Sequence, residues 1–75
     1  MTRKDYVLIA ETLRQLLVDI EYESASEYLT DNARAVLSGE RAGVHHAALR
    51  LSDRLEQDNP RFDREMFLKA CGIAA

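Results

Sequence analysis

Residues 59–72 specify a short helix together with both of its ends. Pro60 has no amide hydrogen and disfavours a helical conformation in the residue before it, so a helix arriving from upstream must end there. Asp63 is placed to cap the next helix, because its carboxylate can accept hydrogen bonds from the free amides of the first turn. Gly72 can take the left-handed conformation that closes a helix. These signals predict a helix over about residues 64–71.

Apolar side chains flank both ends of this helix. Phe62 precedes the cap and Phe67 falls four positions inside the helix, which is the spacing of a hydrophobic staple. Ile73 can contact Leu68, as in a Schellman stop. This spacing is typical of capping and core packing, so we interpret this end of the chain as scaffold. We expect one cluster to form from Phe62, Phe67 and Leu68 packed on Tyr6, Ile9 and Leu13.

A long amphipathic helix is predicted at the start of the chain, over about residues 3–21. Its apolar residues recur at three- and four-residue steps, the period of one helix face. They are Tyr6, Ile9, Ala10, Leu13, Leu16, Leu17 and Ile20. Thr2 and Asp5 have the spacing of a capping box at the beginning of this helix.

Two further helices are predicted in the middle of the chain, over about 25–37 and about 40–58. Ser24 followed by Glu27 is a capping box for the first of them, whose buried stripe would include Tyr28. Gly39 is placed to end it. No strand-like alternation appears, so the sequence predicts an all-α fold. The predicted architecture is a compact bundle of about four helices (about 3–21, 25–37, 40–58 and 64–71) in a single domain, 1–75.

Composition narrows the classes of function. A core built from 75 residues supplies roughly 3–5 kcal/mol, which leaves room for a homodimer or a bound partner to share the burden of stability. The net charge of −3 counts against non-specific binding to nucleic acid, which needs a basic surplus. One cysteine excludes an intrachain disulfide and fits a reducing compartment. No apolar run could span a bilayer and the first residues are no signal peptide, so we expect a cytoplasmic protein with no membrane association.

The residues with catalytic or metal-binding chemistry do not form a site in the sequence. His45 and His46 point about 100° apart on a helix, so they cannot share a metal ion as residues four apart can. Cys71 follows a helix C-terminus, where the helix dipole disfavours a thiolate. There is no glycine-rich phosphate loop and no serine elbow. We expect no enzyme, no metal and no cofactor.

An acidic segment runs from Asp19 to Asp31 without a basic residue. Its members are Asp19, Glu21, Glu23, Glu27 and Asp31. One interpretation is a surface that contacts a basic partner. The other is a solvated face whose acids favour the beginning of a helix. Leu49 lies off the buried stripe of its predicted helix and is a further candidate contact for a partner.

Basic residues offer an alternative site on the third predicted helix and after it. They are Arg50, Arg54, Arg61 and Arg64. Such a patch could bind phosphate groups. Acidic residues are interleaved with it, however, and surface pairing within the molecule would use some of these charges.

Two motifs stand at the ends of the chain: RKDYxxIA at residues 3–10 and NPRFDRxxFLxACG at residues 59–72, where x is any residue. Together they resemble a group of small proteins of unknown function encoded by phages and prophages, often of actinobacteria. Residues 21–43 have no counterpart in that resemblance. The group of proteins has no assigned activity, so the resemblance identifies no functional residues in this chain.

The resemblance implies a phage protein acting in the cytoplasm of a bacterial host. We predict that the protein binds a host or defence protein through the acidic segment. By this binding it would inhibit an antiviral system such as CRISPR–Cas. Two other classes stay open. One is a transcriptional regulator that binds nucleic acid through the arginine patch, and the other is a virion assembly factor.

Overall fold

Three helices make up the fold. The structure is a computed structural model that describes residues 1–73, and over that range it is all-helical, with α1 (Arg3–Ser24), α2 (Asp31–Asp58) and α3 (Arg64–Ala70). Residues 74 and 75 of the predicted domain lie outside the described range. α1 and α2 run antiparallel, since the end of α1 contacts the first half of α2 and the start of α1 packs near its second half.

The molecule is a rod. Its principal extents are 45 × 18 × 18 Å and its radius of gyration is 14.1 Å, whereas a compact domain of this length has a radius of gyration of about 11 Å. The length comes from α2, whose 28 residues span about 42 Å at 1.5 Å per residue. The molecule is therefore elongated, in contrast to the compact bundle expected from the sequence.

The structure has three helices where about four were expected, because the second and third predicted helices are one continuous helix. Gly39 was expected to end a helix, but among the described residues only Gly72 has a positive φ. A side chain at Gly39 or Gly43 would meet no atom within 4 Å, so both glycines lie on the open side of α2. The buried stripe of α2 continues past them from Leu37 to Ala48. Burial of this stripe outweighs the roughly 1 kcal/mol by which each glycine weakens a helix.

The beginning of α2 also differs from the prediction. Ser24 was expected to cap a helix over 25–37, but it is the last residue of α1, and its hydroxyl donates to the Ile20 carbonyl oxygen at 2.7 Å. The cap of α2 is instead Thr30, whose side-chain oxygen accepts from the Ala33 amide at 3.1 Å. Ser24 is itself helical and its hydroxyl bonds back into α1, so it caps no second helix, and residues 25–30 form the connection between α1 and α2.

The two ends of α3 confirm the prediction from sequence. The Asp63 side chain accepts from the Met66 amide at 3.0 Å. At the other end, Gly72 has a φ of 82° and the Ile73 amide donates to the Leu68 carbonyl oxygen at 2.9 Å. This is the hydrogen bond of a Schellman stop. All of these signals act between residues close in sequence.

One hydrophobic cluster joins the three helices. Its buried members are Ala10, Leu17, Ala48, Phe62, Phe67, Leu68, Cys71 and Ile73, with Tyr6, Ile9, Leu13, Val44, Leu55 and Ala70 packed against them. The Phe62 ring lies 4.9 Å from that of Tyr6 and 5.3 Å from that of Phe67, measured between centroids. No cluster member lies beyond Leu17 in α1 or before Val44 in α2. We call residues 1–17 and 44–73 the base, and residues 19–37 the tip.

Candidate partner-binding surface

The tip carries the acidic residues singled out from the sequence. All five have exposed side chains, on the last part of α1, on the connection and at the start of α2: Asp19, Glu21, Glu23, Glu27 and Asp31. Only two helices and their connection build this end. Its buried apolar residues, Ile20 and Leu37, lie outside the main cluster. The tip is thus a solvated acidic surface with a small core of its own.

Two tyrosines stand on the same surface. Tyr22 is 84% exposed and Tyr28 is 86% exposed, the two largest exposures among the large hydrophobic and aromatic residues. Tyr28 was expected on the buried stripe of a helix over 25–37, and that expectation is wrong because residues 25–30 are not helical. Sequence reasoning could have found Tyr22, which lies about 170° from the buried side of α1 at 100° per residue.

Basic side chains neutralise only part of the tip. Arg41 of α2 forms an ion pair with Glu21 at 3.0 Å, and both side chains are more than half exposed. The Arg34 guanidinium donates to the Ser26 carbonyl oxygen at 3.4 Å. The side chains of Glu23 and Glu27 make no ion pair and no hydrogen bond with any residue in the range 1–73. These two carboxylates are therefore open to a partner.

Leu49 does not belong to this surface. It is 37% exposed and lies 18 residues beyond the start of α2, or about 27 Å along the helix axis. There it lines a shallow hollow of about 270 Å³ with His46, Arg50 and Asp53. A partner that contacts the tip through a small interface would not reach it.

The four arginines of the alternative site do not line one surface. Arg64 forms an ion pair with Asp53 of α2. Arg61 lies on the other side of α3, in a groove between α3 and α1. Arg50 and Arg54 are exposed one turn apart on α2. The structure therefore divides this predicted patch between two sides of the base.

The groove between α1 and α3, which we call the base groove, was not anticipated from the sequence. Its volume is about 410 Å³, and its twelve lining residues include the rings of Tyr6 and Phe62. Three exposed apolar side chains also line it: Met1, Val7 and Met66. Arg3 and Arg61 supply positive charge there, and neither makes an ion pair within the described part of the chain.

Cys71 is buried, and burial raises the pKa of its thiol. Within residues 1–73, no group of three or more histidine, cysteine, aspartate or glutamate side chains is arranged to hold a metal ion.

Over residues 1–73, no helix combines the length and the apolar composition that crossing a bilayer requires.

Comparison with known proteins gives no further assignment: no protein-family model matches this chain, and neither a curated protein nor a solved structure matches it.

Proposed function

We propose that this protein is a binding module that contacts a basic surface of another protein through its tip. The observation that carries the proposal is the combination of Tyr22 and Tyr28, both more than four-fifths exposed, with the unpaired carboxylates of Glu23 and Glu27. Tyrosine is enriched at the centres of interfaces because it supplies a large, rigid contact area and a polar group. Carboxylates around such anchors steer a basic partner and discriminate against acidic ones.

The division of the molecule supports this proposal. The main cluster lies in the base, and the four proposed contact residues lie outside it. Their side chains can therefore face a partner without loss of packing. Two antiparallel helices hold the tip in place. Binding would therefore order little additional backbone and would lose little conformational entropy.

The proposed target is a bacterial host or defence protein, and the proposed effect is inhibition without catalysis, in the host cytoplasm. This part of the proposal draws on the resemblance of residues 3–10 and 59–72 to phage-encoded proteins. It also draws on the match between an acidic tip and proteins that bind nucleic acid, such as CRISPR–Cas effectors, whose channels are lined with basic residues. An acidic surface can occupy such a channel in place of phosphates.

The test is affinity capture from bacterial lysate with the wild-type chain and two variants. Glu23→Arg/Glu27→Arg reverses the charge of the tip, and Tyr22→Ala/Tyr28→Ala removes its aromatic contacts. Each should abolish recovery of the partner. Reversal of two exposed acids of the base, Glu56→Arg/Glu65→Arg, is the matched control and should leave recovery intact. Undiminished recovery of the same partner by both tip variants would disprove the proposal.

The inhibitory effect needs a separate measurement. Cells that carry an active CRISPR–Cas system and express the wild-type chain should lose protection against a targeted phage, so plaques should return. Cells that express Glu23→Arg/Glu27→Arg should stay protected. Full protection in both cases would exclude that defence system as the target, while the capture experiment would still report on binding.

Binding to nucleic acid is the competing function, and the pairing of Arg64 with Asp53 counts against it. A gel shift across a range of salt concentrations distinguishes the two. Tight binding that falls steeply with salt would favour the regulator, because each phosphate contact releases counterions. Virion assembly predicts large homo-oligomers in light scattering.

A further inference from the structure

Six exposed side chains form a row along α1, and among them only Glu21 makes an ion pair within the described residues. Its members are Lys4, Val7, Glu11, Arg14, Val18 and Glu21, and all of them are exposed. They alternate at three- and four-residue steps and fall within an arc of about 100° on the helix. Val7 is 43% exposed and Val18 is 47% exposed, so both valines stand in solvent. We call this row the α1 strip.

The α1 strip is complementary to itself when it is read in the opposite direction. In an antiparallel pair of α1 helices with Glu11 opposite Arg14 of the second copy, every member of the strip meets another member. Lys4 then faces Glu21, and Val7 faces Val18. By two-fold symmetry each of these pairs occurs twice. Every charge meets the opposite charge and every valine meets a valine.

We infer that this face of α1 is a homodimer interface in which two copies pair antiparallel along the α1 strip. The spacing matches the alternating layers of an antiparallel coiled coil. Lys4, Glu11 and Arg14 make no ion pair within the described residues, so they are available for pairing between copies. Glu21 uses one carboxylate oxygen for Arg41 and keeps the other.

The position of the α1 strip in the fold agrees with this pairing. Val7 belongs both to the strip and to the lining of the base groove. In the proposed register, the last turns of α1 of the second copy lie alongside that edge of the groove. The helix of one copy would thereby shield Val7 at the base of the other, at both ends of the dimer.

The expected dimer is weak. Residues 4–21 span about 26 Å of helix, and one such helix pair buries less than the ~1,600 Å² of a standard interface. Association should therefore depend on concentration and on salt, since two of its three kinds of contact are ionic. This inference does not rest on the proposed function, although Glu21 belongs both to the α1 strip and to the tip.

Sedimentation equilibrium of charge variants tests the register. Glu11→Arg and Arg14→Glu each place like charges opposite each other twice, so each should weaken dimerisation at least about tenfold. The double variant Glu11→Arg/Arg14→Glu restores opposite charges and should recover the wild-type dissociation constant. Glu56→Arg, an exposed reversal on α2, is the control and should change nothing. Circular dichroism of each variant verifies that the helices are intact.

A disulfide experiment gives a second test. A mixture of Val7→Cys and Val18→Cys chains should form a cross-linked heterodimer under mild oxidation. Val7→Cys alone should not, because the two copies of this position lie about 17 Å apart along the pair. Cys71 is buried, and burial raises the pKa of its thiol, so we expect it to react slowly. A wild-type chain that stays monomeric at its highest soluble concentration would overturn the inference, as would single charge reversals that leave dimerisation unchanged.

Discussion

The base and the tip of this rod are built on different principles. At the base, three helices share one cluster in which the Phe62 ring packs next to the rings of Tyr6 and Phe67. At the tip, two helices share two buried apolar residues, Ile20 and Leu37, while the two tyrosines are exposed to solvent. The base holds the main cluster, and the tip carries the two most exposed aromatic side chains.

Under the proposed function, this difference separates the residues that stabilise the fold from the residues that bind a partner. A small domain has a low free energy of unfolding. Substitutions in a binding surface made from core residues would therefore risk unfolding it. A surface at the end of a hairpin can change its side chains while the main cluster stays intact. Substitutions should therefore have very different effects at the two ends.

The largest difference is expected between aromatic truncations. Phe67→Ala at the base should lower the free energy of unfolding by ~3–5 kcal/mol, because a buried ring is lost and a cavity is left. Tyr28→Ala at the tip should change it by less than about 0.5 kcal/mol. Urea denaturation followed by circular dichroism measures both. Similar losses from the two variants would contradict the division into base and tip.

Two glycine substitutions should change the free energy of unfolding in opposite directions. Gly72→Ala at the base should destabilise the protein by about 1–2 kcal/mol, because its φ of 82° is strained for alanine even though the added carbon has room. Gly39→Ala in the middle of α2 should stabilise it by about 0.5–1 kcal/mol, because the site is helical and open. Thermal melts of both variants are sufficient. Destabilisation by Gly39→Ala would mean that the helix is interrupted there.

The beginning of α2 can be tested by its two hydroxyl residues. Thr30→Ala removes the cap and should cost about 1 kcal/mol, whereas Ser24→Ala should be close to neutral because its hydroxyl only bonds back within α1. Chemical denaturation of the two variants in parallel gives the comparison. The reverse order of effects would restore the predicted helix over 25–37.

The smallest expected effect is the pH dependence of stability that comes from Asp5 at the beginning of α1. Hydrogen bonds from the amide and the hydroxyl of Thr2 hold the pKa of Asp5 below its ordinary value. The stabilisation from this cap is therefore present above the ordinary aspartate pKa and disappears as the pH falls through the lowered one. Asp5→Asn should be less stable than wild type at neutral pH and equally stable in strong acid. A difference that stays constant with pH would point to another cause.

The ends of α3 and the beginning of α1 were predictable because their signals are local. Asp63 and Met66 are three residues apart, and Gly72 closes a helix whose bonds lie within the preceding turn. Gly39 shows the limit of such reasoning. Locally it favours a helix end, but Leu37 and Ala48 on either side of it pack inward and hold the helix continuous. Tyr28 was misassigned for the same reason, since a helix assumed from a capping box placed it on a buried stripe.

The sequence by itself determined the helical class, the amphipathic side of α1, both ends of α3 and the acidic character of residues 19–31, because all of these depend on neighbours within one or two turns. Only the tertiary structure decided that α2 is one long helix and that the molecule is a rod. It also decided that two tyrosines project beside Glu23 and Glu27, while Leu49 and the arginines lie elsewhere. These features depend on which apolar surfaces find each other across the chain, and burial between distant residues outweighs a local glycine or serine signal.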